Sequence, residues 1–332
     1  MLKRLRLPDY NYDFDTKTGL FARWGKTKEE DPQFSPIGPE IADIEVTTSC
    51  RGAGGKLCKF CYKGNNPDGK NMSFETFKTI FDKLPKNLMQ IAFGADASAE
   101  ANPDLFRMMD YCRENDVVPN ITVADISAHT ADKLSKICGA VAVSHYNTEI
   151  CKRSIDLLHK GGLQQINIHQ MVSEETLENC YNIMDEAKNI PGLKAIVMLS
   201  LKKKGRGKYF NPLPYYLFSD MIDYALQNKV PLGFDSCTAH KFLKYVDNSG
   251  NPELQKMAVF VEPCESMLFS TYIDVDGMVY PCSFTPGSVG WDAGLDVVKC
   301  EDYMSDIWNH ERMIQWRQNL IAKDRVCPLY HI

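Results

Sequence analysis

No apolar stretch in the 332 residues approaches the roughly 18 needed to span a bilayer, so a transmembrane chain is excluded as an expectation. The start, Leu2-Lys3-Arg4-Leu5-Arg6-Leu7-Pro8, carries basic residues with no apolar core behind them, which argues against a secretory signal. There is no basic surplus either. Thirty-eight Lys and Arg stand against 43 Asp and Glu, a net charge of −5, so nothing draws the chain generally to nucleic acid or anionic lipid. A soluble, cytoplasmic protein is expected. Disulfide density is also low: 12 cysteines are about 4% of the chain, against roughly 8–10% in small disulfide scaffolds. In a reducing compartment, clustered cysteines bind metal or act catalytically more often than they bridge. With 44% hydrophobic and 24% charged residues, the composition is that of an ordinary globular protein.

What is present is a rhythm of short β-rich runs and amphipathic helices. Tyr10–Phe14 and Leu20–Trp24 flank a Gly19-containing turn and predict an N-terminal β-hairpin within residues 1–40. Strands are predicted at Ala42–Thr48, Leu88–Gly94, Val118–Ala124, Ala140–His145, Gln165–Val172 and Lys194–Leu201. Helices open at Ser73, at Asn102-Pro103-Asp104 and at Ser173, each with capping residues and early acids, and another covers Tyr215–Asn228. Six strand–helix units imply an α/β fold with a parallel sheet and right-handed crossovers, a partial (β/α)6 TIM-like barrel over residues 41–229. Past Lys229 the rhythm changes: a strand at Leu232–Cys237, a hairpin turning on Asp276-Gly277, and a last helix near Met304–Ile321 make residues 230–332 a separate unit.

Cys50, Cys58 and Cys61 fall in a C-x7-C-x2-C spacing just after the first barrel strand, where barrel sites collect. Gly52, Gly54 and Gly55 let the intervening loop wrap closely around an object. Three thiolates can hold three irons of a [4Fe–4S] cluster and leave the fourth open. A structural zinc is the competing reading, but no nearby histidine completes its ligands. Cys264 and Cys282 form a second set, C-x12-G-x4-C, with Gly277 at the turn between them. Cys112, Cys138, Cys151 and Cys180 lie singly in helical patterns and read as small core hydrophobes.

The cysteine loop resembles that of the radical S-adenosylmethionine superfamily, in a variant with a longer first gap; Phe60 matches the aromatic position of its motif. The stretch from Tyr272 to Ser283 resembles the opening of the SPASM or twitch extension, which holds auxiliary clusters. The resemblance implies a site-differentiated [4Fe–4S] cluster on Cys50, Cys58 and Cys61, and S-adenosyl-L-methionine chelated to its open iron. Reductive cleavage would give a 5′-deoxyadenosyl radical that takes hydrogen from a substrate carbon. Cofactor contacts are then expected from Phe60, from Gly94, Asp96 and Ser98 at the second strand end, where the usual glycine pair is missing, from Asp125 and Ser144, and from Ile168 and His169 on the fifth strand. His169 is alternatively a satisfied core histidine. Arg206 offers a cation to a carboxylate or belongs to a plain basic loop. A second, auxiliary [4Fe–4S] cluster is expected on Cys237, Cys264, Cys282 and Cys327, with Cys300 the spare. The resemblance further implies a peptide or small-molecule substrate and a flavodoxin- or ferredoxin-like electron donor. Modification of a ribosomally made peptide is the leading expectation, and a small-molecule dehydrogenase, mutase or carbon–carbon bond-former the alternative. Residues 1–40 are too few for a leader-recognising domain, so a separate leader-peptide-binding protein is expected. From another class, the chain would be a non-catalytic iron–sulfur or zinc protein.

Overall fold

Alternation along each strand of the large sheet sorts side chains into two faces. One face is apolar and fully buried, as in Ala42 and Ile44, Ile91 and Phe93, Val141 and Val143, Ile166 and Ile168, and Ile196 and Met198. Helices cover that face, and the other lines a cavity. The structure is a computed structural model and describes residues 2–330.

The strands are β1 (Leu2–Arg6), β2 (Asn11–Asp15), β3 (Phe21–Trp24), β4 (Ile41–Glu45), β5 (Gln90–Gly94), β6 (Val118–Val123), β7 (Val141–Ser144), β8 (Ile166–Val172), β9 (Leu193–Ser200), β10 (Leu232–Phe234), β11 (Ser270–Ile273), β12 (Met278–Tyr280) and β13 (Leu295–Asp296). Between them run α1 (Phe74–Lys83), α2 (Leu105–Glu114), α3 (Ala128–Ile137), α4 (Thr148–Lys160), α5 (Leu177–Glu186), α6 (Tyr215–Gln227), α7 (Ala239–Ser249), α8 (Pro252–Ala258) and α9 (Glu311–Ile321). The six expected barrel strands are β4 to β9, each within a few residues of its sequence pattern. Ser73, Ser127 and Asn147 cap α1, α3 and α4 by accepting a backbone N–H three residues on.

Three features add to the expected elements. The parallel sheet continues beyond the six barrel strands, because β10 pairs parallel to β9 and β11 pairs parallel to β4. The ten-stranded order is β10-β9-β8-β7-β6-β5-β4-β11-β12-β13. The strand at Leu232 and the first strand of the Gly277 hairpin thus extend the barrel sheet, because their backbone groups pair with β9 and β4. The N-terminal hairpin is also one strand larger, since β1 pairs antiparallel to β2 in the register Leu2↔Asp15 to Arg6↔Asn11. The expected last helix is a π-helical turn at Met304–Trp308 followed by α9.

The N-terminal sheet is packed by a cluster of its own. Tyr10, Tyr12 and Phe14 bury against Met89, Val118, Leu268 and Phe269, residues at or just before the starts of β5, β6 and β11. The sheet therefore closes the end of the barrel opposite to the strand C-termini. No helix among the described residues is long and apolar enough to cross a membrane.

Candidate functional site

β4 leads into a long loop that returns to α1 and carries the first three cysteines. Gly52, Gly54 and Gly55 all take positive φ. At Gly52 this is obligatory, for a Cβ there would sit 1.9 Å from the Lys56 carbonyl oxygen. The Cys50 N–H donates to the Asn66 carbonyl at 2.9 Å, and the Gly52 N–H points to the Cys50 sulfur at 3.3 Å. Arg206, in the turn after β9, clasps the loop from outside. Its Nε donates to the Cys58 carbonyl at 2.8 Å, one terminal nitrogen to the Asn65 carbonyl at 3.1 Å, and its backbone N–H to the Cys61 carbonyl at 3.0 Å. Gly205 permits this approach, since a Cβ would stand 2.4 Å from the Tyr62 carbonyl oxygen. Burial pushes the Cys58 thiol up to about 11, and the nearby Cys61 adds to the rise. Among the described residues, no three His, Cys, Asp or Glu side chains crowd one point as the ligands of a single ion would.

All three cysteines open on one cavity of about 500 Å³, to which each of β4 to β9 contributes. Six parallel strands laid flat would span roughly 24 Å between the outermost two, so the sheet must curl to bring them to one space. Of the residues expected to contact cofactor, Phe60, Gly94, Asp96, Ser144 and His169 line this cavity. Phe60 packs against Tyr146 and Phe210, with ring centroids 5.6 and 5.8 Å away. Burial lowers His169 to about 4, so its imidazole is neutral at physiological pH.

Three expected contacts lie elsewhere. The Ile168 side chain is fully buried on the helix-facing side of β8, as its place between cavity-facing neighbours in the alternation requires. Asp125 serves the cysteine loop instead: its carboxylate accepts the Gly54 N–H at 2.8 Å and pairs with Arg153 on α4. Ser98 donates its hydroxyl to Asp96. Asp96 itself reaches the wall, but both its oxygens are occupied. One accepts from the Ser98 hydroxyl and N–H, and the other from the backbone N–H groups of Glu100 and Ala101. It shapes the turn that takes the place of the missing glycine pair.

A charged wall of the cavity escaped the sequence reading. Glu45 on β4 accepts from the Tyr272 hydroxyl at 2.8 Å and pairs with Lys63 at 3.2 Å. Asp43, two residues earlier and on the same face, has its carboxyl pushed up to about 6 by burial. Lys202 and Asp235 pair at 3.1 Å across the ends of β9 and β10. His145 holds Gln170 through Nδ1 at 2.6 Å. The acids at i and i+2 in Ile41-Ala42-Asp43-Ile44-Glu45 were the available signal, because carboxylates are rare inside a buried strand.

All twelve cysteines are free, and burial divides them. Cys112, Cys138, Cys151 and Cys180 are buried in the core as expected, and the other eight are partly accessible. Cys237, Cys264, Cys282 and Cys327 converge from four loops. Burial raises the Cys282 thiol to about 11, and Cys264 and Cys327 add to it. Cys264 is raised by burial and by Cys327, and Cys237 by burial and, among nearby charges, by Asp235 and Cys264. Arg325 ties the tail to the second loop, donating to the Cys264 carbonyl at 3.0 Å and the Pro263 carbonyl at 2.7 Å and pairing with Glu262 at 2.9 Å. Arg23 of β3 joins the same knot: its guanidinium lies 2.7 Å from Glu40, 3.2 Å from Glu262 and 3.5 Å from the Phe269 ring centroid. Cys300 is elsewhere, beside the C-terminal end of α1, where Lys83 donates to its carbonyl at 2.6 Å.

In fold the chain is similar to Streptococcus suis SuiB, solved bound to S-adenosylmethionine. It is 16% identical, has a TM-score of 0.55, and the match covers 89% of this chain and 67% of that one. A family model for the SPASM iron–sulfur cluster-binding domain matches residues 264–328, the span from Cys264 past Cys327. The chain shares the fold of that S-adenosylmethionine-bound protein and carries a region that matches the SPASM domain. Weaker likenesses are to BtrN in complex with AdoMet and 2-DOIA (15% identity, TM-score 0.39, 85% of this chain and 87% of that one) and to HydG, a maturase of the [FeFe]-hydrogenase (11%, 0.45, 72% and 57%). No curated protein matches the chain. The SPASM region contributes to the site in two ways, through the cysteines it brings to Cys237 and through Tyr272, Ser283 and Phe284 on the cavity wall.

Proposed function

We propose that the chain is a radical S-adenosylmethionine enzyme that removes a hydrogen atom from a carbon of a ribosomally made peptide, one side chain of which enters the cavity. The observation that carries the reading is the opening of Cys50, Cys58 and Cys61, from one loop, onto the cavity that β4 to β9 line. Their three sulfurs would hold a [4Fe–4S] cluster with one iron left for S-adenosylmethionine, and that pair supplies a 5′-deoxyadenosyl radical when bound and reduced. Cys237, Cys264, Cys282 and Cys327 would hold the auxiliary cluster.

The chain's own residues do the rest. Phe60, Tyr146 and Phe210 form an aromatic wall beside Cys58 and Cys61 that excludes water from a reactive space. Neutral His169 offers a hydrogen bond without adding charge. Glu45, held between Lys63 and Tyr272, keeps a carboxylate at the wall that can take a proton from substrate. A flavodoxin- or ferredoxin-like protein would reduce the first cluster, and a separate leader-binding protein would present the peptide. A second reading, a small-molecule radical enzyme, is favoured by the cavity itself: about 500 Å³ lies in the ordinary range for small-ligand sites.

Anaerobic reconstitution followed by dithionite and S-adenosylmethionine tests the reaction class. About eight irons per chain and formation of 5′-deoxyadenosine are expected. Zinc without iron would overturn the reading. Mass spectrometry of a peptide library against a small-metabolite library then separates the two substrate classes, the expected result being a mass change confined to a peptide.

A further inference from the structure

Lys202 is 4% exposed, an unusual place for an ammonium. It follows β9 and lines the cavity, and its Nζ pairs with Asp235 at 3.1 Å. The same Nζ lies 4.8 Å from the ring centroid of Phe284, two residues beyond Cys282, and the Asp235 it pairs with stands two residues before Cys237. None of Cys237, Cys264, Cys282 and Cys327 lines the cavity, whereas Lys202, Asp235, Ser283 and Phe284 do. These four residues form the partition between the cavity and the converging cysteines.

We propose that Lys202 is a positioning residue that sets the reduction potential of the auxiliary cluster by holding a buried positive charge beside Cys237. The inference rests on the reading of Cys237 as a cluster ligand. Potentials of iron–sulfur clusters follow net charge, burial and hydrogen bonds to the sulfurs, and Lys202 adds a buried charge near one of the ligands. Asp235 does not cancel it. That carboxylate cannot donate to sulfur, and it is shared with Thr238, whose N–H and hydroxyl donate to its other oxygen at 2.9 and 2.5 Å. A reduced cluster carries one more negative charge than an oxidised one, so the ammonium favours reduction.

The experiment is a redox titration of the reconstituted holoprotein, followed by electron paramagnetic resonance, for wild type, K202M, K202R and K202M/D235N. K202M is expected to keep about eight irons while the reduced fraction of the auxiliary cluster at a given potential falls at least tenfold, a shift of about 59 mV to more negative values. K202R should keep the wild-type potential, and K202M/D235N, which removes both charges, should shift less than K202M. An unmoved potential in iron-replete K202M overturns the proposal while leaving the ligand assignment intact. Loss of about four irons in K202M overturns it too, marking the lysine as needed for ligation itself. C237A is the separate control: if it retains about eight irons, the ligand reading and this inference with it are refuted.

Discussion

Replacing Gly52 with alanine isolates what the first cysteine loop requires of its backbone. Gly52 has φ +76°, and an added Cβ would lie 1.9 Å from the Lys56 oxygen, 2.4 Å from its carbon and 2.7 Å from the Leu57 nitrogen. All three are backbone atoms of the loop, so no rotamer relieves the contact. Ordinary contact begins near 3.4 Å, which demands a backbone shift of about 1.5 Å in the segment leading to Cys58. Left-handed backbone costs alanine roughly 1–2 kcal/mol, and forced overpacking adds about 1–3 kcal/mol. Gly55 is the comparison. Its φ is +72°, yet nothing lies within 4 Å of its would-be Cβ, so Gly55→Ala carries the conformational cost alone. Iron per chain and 5′-deoxyadenosine formation after identical anaerobic reconstitution are the assays. Gly52→Ala should lose the first cluster, dropping from about eight irons to about four, and all cofactor cleavage, with its melting transition still cooperative. Gly55→Ala should retain most of both. Equal damage from the two substitutions, or a Gly52→Ala protein with full iron and cleavage, would refute the reasoning.

Four further outcomes follow from the same geometry. Cys58→Ala should abolish 5′-deoxyadenosine formation, since three thiolates are the minimum that leaves one iron free; full cleavage would exclude the cluster assignment. The double substitution Cys264→Ala and Cys282→Ala should remove about four irons and loosen the C-terminal region, measured by iron analysis and hydrogen exchange, while cofactor cleavage survives and product formation stops. Arg23→Met should cost about 3–5 kcal/mol in chemical denaturation, because Glu40 and Glu265 are left buried without their cation, and should weaken retention of the auxiliary cluster more than of the first. Burial holds His169 near 4 in the folded chain, against the 6.5 of a freely solvated imidazole. Between those values the unfolded chain binds the proton that the folded one refuses, so stability rises with pH across this window and is lost as pH falls through it. His169→Gln should flatten that part of the stability–pH curve, by roughly 3 kcal/mol at most; an unchanged slope would show that the imidazole is not shielded.

How far the sequence could be read depended on whether the decisive information was local. Period-two alternation, helix caps and the cysteine spacing are local, and β4 to β9, the caps of α1 and the loop from Cys50 to Cys61 all follow from them. β10 is a three-residue strand whose identity lies in its hydrogen bonds to β9, and nothing in Leu232-Gly233-Phe234 announces that partner. α7 and α8 lie between Cys237 and Cys264, outside the elements expected from the sequence. Asp96 marks the limit most clearly. Its position after β5 made it a plausible cofactor contact, but its four hydrogen bonds come from residues two to five positions on, within the turn that it builds.

The auxiliary set reverses the usual relation between motif and fold. Cys264 and Cys282 are joined by a hairpin that the sequence displays, whereas the tail carrying Cys327 is fastened by ionic contacts spanning the chain and Cys237 follows β10, which pairs with β9. Arg325 fastens the tail to the Cys264 loop through Glu262, and Arg23, some 240 residues earlier in sequence, grips the same Glu262 from the N-terminal sheet. The small sheet that closes the barrel's far end therefore also braces the second cysteine set, which gives a structural reason for its three strands: β3 carries Arg23, β2 carries Tyr12 and Phe14, which with Tyr10 just before it anchor the sheet, and β1 covers the edge of β2. On the other side, Lys202 and Phe284 separate that set from the cavity. The two cysteine sets thus meet at Tyr62 and Phe284, whose rings stack at 4.2 Å, one beside Cys61 and the other two residues past Cys282. With Lys202 against Phe284 and Tyr272 against Glu45, that aromatic contact gives the barrel and the SPASM region a shared wall.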